Sequence, residues 1–264
     1  MNIFENIGKT ILHWVRVFFK SLELIIETLY WVFVGPFRKK PIKWGEVFAQ
    51  MVFMGIQSII IVFFVMLFTG VVLAMQSAPQ LEKMGAVFYV ASLVTISICR
   101  ELGPVLTALV VAGRIGAAIT AEIGSMNVNE QIEALDTMAI SPVRYLVVPK
   151  FLSLFFMLPC LTVLGDASGF LGGYLIGVFN LNINSGLYLQ TAFDFLELRD
   201  IYTGLSKSII FAMIIAIVGS YQGLQTQGGA VGVGRATTVS VVTSFVLIII
   251  ADCILTGIYF FSDL

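Results

Sequence analysis

The chain has 264 residues, of which 15 are Lys or Arg and 16 are Asp or Glu, so 12% are charged. A soluble globular domain carries about 25%. With 58% hydrophobic residues and a mean hydropathy of +0.98, the chain has more apolar surface than one soluble core of this size hides. That balance, with a net charge of −1, excludes a cytosolic enzyme, a disordered chain and a nucleic-acid-binding domain, and leaves a multi-spanning membrane protein.

Residues 1–34 hold no clean apolar run followed by a small-residue cleavage site, so they do not read as a cleavable signal. Phe4, Ile7, Ile11, Trp14, Phe18, Leu22, Ile25 and Leu29 recur at helical spacing. Glu5, Lys9, His13, Arg16, Lys20, Glu23 and Glu27 form the opposite stripe. The pattern predicts an amphipathic helix lying in the headgroup boundary. Gly35 and Pro36 end it, and Arg38, Lys39, Lys40 and Lys43 mark a cytoplasmic flank. Residues 1–45 are thus expected to be an interfacial helix with a basic linker, and 46–264 a five-span membrane domain.

The five spans are expected near Val47–Met75, Ala86–Thr120, Val148–Phe179, Tyr202–Tyr221 and Val239–Phe261. The second is about 50 Å long at 1.5 Å per residue, too long for a straight crossing. Its polar break at Arg100, Glu101 and Pro104 predicts a kinked or split helix. With the N-terminus inside, eleven of the 15 Lys and Arg fall on the inner side, which sets the N-terminus in and the C-terminus out. The outer connection near Asn180–Ile201 reads as a short amphipathic helix. The glycine-rich run from Gly228 to Gly234 reads as a flexible inner loop. Small residues at i+4 predict close helix crossings. They are Ala108, Ala112, Gly116 and Thr120, then Gly113, Ala117 and Ala121, then Gly165, Gly169 and Gly173.

Chemistry at membrane depth is confined to a few groups. Arg100 and Glu101 are neighbours that point about 100° apart on a helix, so they need not pair with each other. Lys207 sits near the outer start of the fourth span, and Asp166 and Asp252 are the remaining acids in the spans. They either neutralise one another and hold the bundle, or line a path for an amphiphile or a proton. Cys99, Cys160 and Cys253 read as small buried hydrophobes, and His13 alone cannot build a metal cluster. No phosphate-binding loop is present, because Ile3 stands where the first glycine of such a loop would precede Gly8 and Lys9. The inner connection at 122–146 is different. Asn129 is placed to cap a helix starting at Glu130, with Ile132, Leu135 and Met138 on one face and Pro142 beyond its end. An exposed helix of that kind suits docking onto a cytoplasmic partner.

The run RELGPVLTALVVAGR from Arg100 to Arg114, AEIG from Ala121, EQIEAL from Glu130 and PVRYLVVP from Pro142 together resemble the MlaE/YrbE family. These are permease subunits of ABC transporters that work with MCE-domain proteins. The runs Gly70–Gln76, Lys207–Ser208 and Gly234–Thr238 add to the match, which extends from about residue 46 to the C-terminus. The resemblance implies an all-α membrane protein with five transmembrane helices, an interfacial N-terminal helix and a short cytoplasmic coupling helix. It implies a homodimer in the cell inner membrane and a separate ATPase that holds the ATP and Mg, so that the chain itself is no enzyme and carries no cofactor or metal. It also implies an MCE-domain partner on the outer side, with room for a small cytoplasmic accessory subunit. Phospholipid is the implied cargo. Leu73, Arg100, Glu101 and Lys207 would line the lipid cavity, and Glu130, Ile132, Leu135 and Met138 would take the push of the ATPase. An ion-coupled carrier using Glu101 or Asp252, and a structural anchor of an envelope complex, remain as alternatives.

Overall fold

The computed structural model describes residues 19–35 and 43–261, and within them every element is helical. Helix α1 covers 19–33. Five long apolar helices follow: α2 at Trp44–Lys83, α3 at Val87–Val128, α5 at Val143–Phe179, α7 at Leu198–Leu224 and α8 at Gly229–Phe261. Two short helices link them, α4 at Gln131–Thr137 and α6 at Ser185–Asp194. The expected spans are therefore present, with ends that differ. Helix α2 runs on through Pro79 to Lys83, because hydropathy marks the hydrocarbon and not the last hydrogen-bonded turn. The first half of the expected amphipathic helix, Phe4 to Phe18, lies outside the described residues.

Helix α3 neither splits nor breaks at Arg100. The chain absorbs one extra residue there as a π-turn over Ile98–Leu102, in which the Gly103 N–H donates to the Ile98 carbonyl. Pro104 then falls in the first turn of the resumed α-helix, where its missing N–H costs nothing. A second π-turn, Ala112–Gly116, follows two turns later. The glycine run is also not a loop throughout. Gly228 and Gly229 take positive φ, at +89° and +69°, and α8 starts at Gly229. Asn129 does not cap α4 either. It closes the C-terminus of α3, its N–H bonded to the Ser125 carbonyl, and α4 starts at Gln131 with no side-chain cap.

Helix α5 sits in the middle of the bundle, with two-thirds of its apolar stretch buried. It meets α2 through glycines. A Cβ at Gly70 would overlap the backbone carbonyl of Gly169, and one at Gly172 would overlap that of Leu67. The first expected small-residue stripe faces α7. Ala108, Ala112 and Thr120 are fully buried, Gly219 packs on the Gly116 carbonyl, and Thr120 Oγ1 reaches the Gly219 carbonyl at 3.0 Å. Both glycine-lined crossings are thus made within one chain. Helix α6 has the expected place. Asn184 caps it by accepting from the Gly186 N–H at 2.9 Å, and its Tyr188 is buried edge-on against Tyr174.

Helix α8 is packed least, with 11% of its apolar stretch buried. It is joined to the bundle by the fully buried Ile248 and by polar contacts: Thr120 to Ser240 at 2.8 Å, Lys207 to Asp252 at 3.0 Å, and Ser206 to Tyr259. Cys99 is buried as expected, but Cys160 and Cys253 are exposed. An apolar stretch on a spanning helix has a lipid face as well as a core face, so apolar neighbours do not imply burial.

Candidate functional site: an intramembrane charge cluster

The π-turn over Ile98–Leu102 turns Arg100 and Glu101 toward α7 and α8, at the end of the bundle that carries α6. Lys207 on α7 is 1% exposed. Its Nζ donates to Glu101 Oε2 and, at 2.7 Å, to Thr256 Oγ1, and lies 3.0 Å from Asp252 Oδ1. Thr256 Oγ1 donates on to Glu101 Oε1 at 3.2 Å. Asp252 and Thr256 are four residues apart on α8 and so share a face. Beside this group, Arg100 Nη1 lies 3.8 Å from Asp200 Oδ1. Arg100 and Glu101 each keep about a third of their side chain exposed, at 35% and 34%. A cavity of about 510 Å³ opens next to the cluster, between α7 and α8, lined by Arg199, Tyr202, Thr203, Ser206 and Tyr259.

Three of the four expected cavity residues are therefore together: Arg100, Glu101 and Lys207. Arg100 reaches Asp200 and Glu101 reaches Lys207, each on α7. Lys207 is a buried hub shared by two carboxylates, whereas Arg100 and Glu101 are partly open. Leu73 is elsewhere. It is half-buried on α2, in an apolar group with Ala74, Leu106 and Val110. Asp252 takes the neutralising role open to it, and Asp166 does not. One Asp166 oxygen is buried beside Gly103 with no hydrogen-bond partner.

Asp200 and Thr256 escaped the sequence reading. Asp200 looks like a loop acid, yet it is the third residue of α7 and forms a capping box with Glu197. Its second role, toward Arg100, depends on the turn that brings α7 beside α3. Thr256 had a legible signal, its i+4 spacing from Asp252.

At the opposite end, α4 hangs below α3 and α5. Ile132 is 8% exposed and anchors the helix to its own chain, with Leu135 half-buried beside it. Glu130 and Met138 point out, Met138 at 61% exposure. The helix is held between two left-handed residues, Glu130 at φ +57° and Ala139 at φ +56°. Such a conformation costs a residue with a Cβ about 1–2 kcal/mol, so Ala139→Gly should stabilise α4 by up to about 1 kcal/mol. Hydrogen exchange on the α4 amides is expected to slow several-fold, and unchanged or faster exchange would contradict the assigned backbone. Around α4, Lys150 bonds Glu122 at 2.7 Å, and Asn127 Nδ2 donates to the Thr226 carbonyl at 2.9 Å, tying the ends of α3, α5 and α7.

Comparison with known proteins agrees with this architecture. The family model for Permease MlaE matches residues 47–258. A protein of Rickettsia typhi named "Probable ABC transporter permease protein RT0041" is 40% identical over 260 residues, covering 98% of both chains. A Synechocystis protein also named as an ABC transporter permease is 41% identical over 211 residues, 80% of both chains. The Haemophilus influenzae "Intermembrane phospholipid transport system permease protein MlaE" is 33% identical over 263 residues, again 98% of both. With five apolar spanning helices and a family match across nearly all of them, the chain belongs to the MlaE permease family of ABC transporters.

Proposed function

We propose that the chain is the lipid-conducting half of an ATP-driven transporter, moving phospholipid between the inner membrane and a periplasmic MCE-domain partner. The observation that carries this reading is the charge cluster of Arg100, Glu101, Lys207, Asp200 and Asp252. It is partly open and stands beside a cavity in otherwise apolar spans. Charges at that depth are expensive, and a partly hydrated cluster offers a phosphate headgroup both donors and acceptors. The phospholipid named for the Haemophilus relative supports the cargo class. Lacking a phosphate-binding loop, the chain relies on a separate ATPase holding ATP and Mg, which presses on α4 through Glu130, Leu135 and Met138. Two copies form a homodimer with the lipid at their interface, and a small cytoplasmic accessory subunit completes the inner side. The N-terminus is cytoplasmic and the C-terminus periplasmic.

The ion-coupled alternative fits less well, because both of its proposed proton sites, Glu101 and Asp252, are tied to Lys207. Leu135→Arg tests the ATPase contact. The variant should insert and extract like the parent, yet lose the ATPase in a pull-down and lose lipid transfer between vesicles. An ATPase retained at parental stoichiometry would refute the role given to α4.

A further inference from the structure

Arg114 lies 14 residues from the α4 end of α3, about 21 Å along the helix at 1.5 Å per residue. Its π-turn aims it at α2, away from the charge cluster. Nη1 donates to Ser58 Oγ at 2.7 Å, and Nη2 donates to Gln57 Oε1 at 2.8 Å. Both partners are neutral. Ser58 Oγ itself donates to the Met54 carbonyl at 2.7 Å, so it has no proton left to offer. Arg100, Lys207 and Lys150, three other basic residues in the spans, each have a carboxylate within 4.0 Å. Arg114 has none among the described residues.

What this group presents outward is mostly donors. A guanidinium has five N–H groups and two are used, and the Gln57 carboxamide, whose oxygen accepts from Arg114, keeps its NH₂. The surroundings are apolar and open: Phe53, Ile56, Ile60 and Ile61 around Gln57 are all exposed. Next to Arg114, Gly113 leaves open space, the nearest atom to a Cβ there being a ring carbon of Phe245 on α8 at 3.8 Å. An uncompensated cation with surplus donors, set in an exposed apolar belt, attracts an oxyanion that arrives with acyl chains.

We infer that Arg114 and Gln57 form a second phosphate site, separate from the Lys207 cluster, which holds the phosphodiester of a phospholipid in the leaflet on the α4 side. The inference rests on the reading of the chain as a lipid-handling permease only for the choice of lipid over free phosphate. Its test measures binding and needs neither ATPase nor transport, so it can fail while that reading stands.

A photoreactive amino acid at Ile61, one turn beyond Gln57 on the same face, reports occupancy in the full-length protein in vesicles. Illumination in phosphatidylglycerol vesicles should give a lipid adduct, and galactolipid vesicles, which lack phosphate, should give little. Arg114→Gln should cut the phosphatidylglycerol adduct about tenfold, the loss of a charge-assisted contact. Gln57→Glu supplies the missing carboxylate without removing the arginine. It should preserve folding and cut the adduct to a similar degree, which covers the case in which Arg114→Gln fails to insert. An adduct unchanged in Gln57→Glu, or equal in galactolipid, would overturn the site. Displacement of the adduct by added inorganic phosphate would assign it to a free anion and overturn the lipid.

Discussion

Lys207→Met should be the most damaging single substitution in the charge cluster. The side chain is 1% exposed and is the only cation in contact with both Glu101 and Asp252 among the described residues. Removing it leaves two carboxylates and one threonine hydroxyl in a poorly hydrated site, where breaking a buried pair costs about 3–5 kcal/mol. Because Glu101 and Asp252 are 34% and 23% exposed, water relieves part of that, and a loss of about 3 kcal/mol is expected. The readout is the thermal midpoint of the detergent-extracted protein by size exclusion. Adding Glu101→Gln and Asp252→Asn to Lys207→Met removes the stranded charges and should restore most of the midpoint, while leaving lipid transfer impaired. A single mutant within about 1 kcal/mol of the parent would mean that the hub is solvated and not structural.

Gly70→Ala should be nearly as severe, for a steric reason. The new Cβ would run into the Gly169 carbonyl, which belongs to a backbone and cannot swing aside. The helices α2 and α5 must separate, at about 1–3 kcal/mol or more for an overpacked contact. The converse change is cheaper. A Cβ at Gly169 meets the tip of the Ile98 side chain at 2.9 Å, and that tip can rotate. At Gly234, near the start of α8, nothing lies within 4 Å, and alanine should gain up to about 1 kcal/mol of helix propensity. The predicted order of thermal midpoints is Gly234→Ala above parent, then Gly169→Ala, then Gly70→Ala. A Gly70→Ala protein as stable as the parent would refute the close crossing.

The sequence announces the hydrocarbon stretches, because twenty apolar residues have few other uses, and so the five spans were legible. Helix ends were not. Pro79, Gln80 and Glu82 lie past the expected end of the first span at Met75, yet α2 continues through them, since hydrogen bonding outlasts hydropathy. A π-turn inserts a residue without a composition of its own, so Arg100, Glu101 and Pro104 looked like a break. Arg114 was not legible as a charge at membrane depth, but Arg100, Glu101, Lys207, Asp166 and Asp252 were. Their partners were not: Glu101 finds Lys207 from 106 residues away, a distance that only the packing of α3 on α7 closes. Asn129 shows the local version of the same limit, because one asparagine serves equally to begin a helix or to end one.

The sparse packing of α8 has a mechanical meaning. In hydrocarbon, an apolar side chain gains little by exchanging lipid for protein, so the exposed valines and isoleucines of this helix contribute little to which way it faces. Ser240, Asp252, Thr256 and Tyr259 contribute more, each engaging α3 or α7 at a different height along α8. The helix is indexed like a key on its teeth: cutting one tooth lets it turn about its long axis while it stays helical and inserted. Two of those teeth, Asp252 and Thr256, hold Lys207 together with Glu101 of α3, so a turn of α8 would take from that lysine two of its three partners at once.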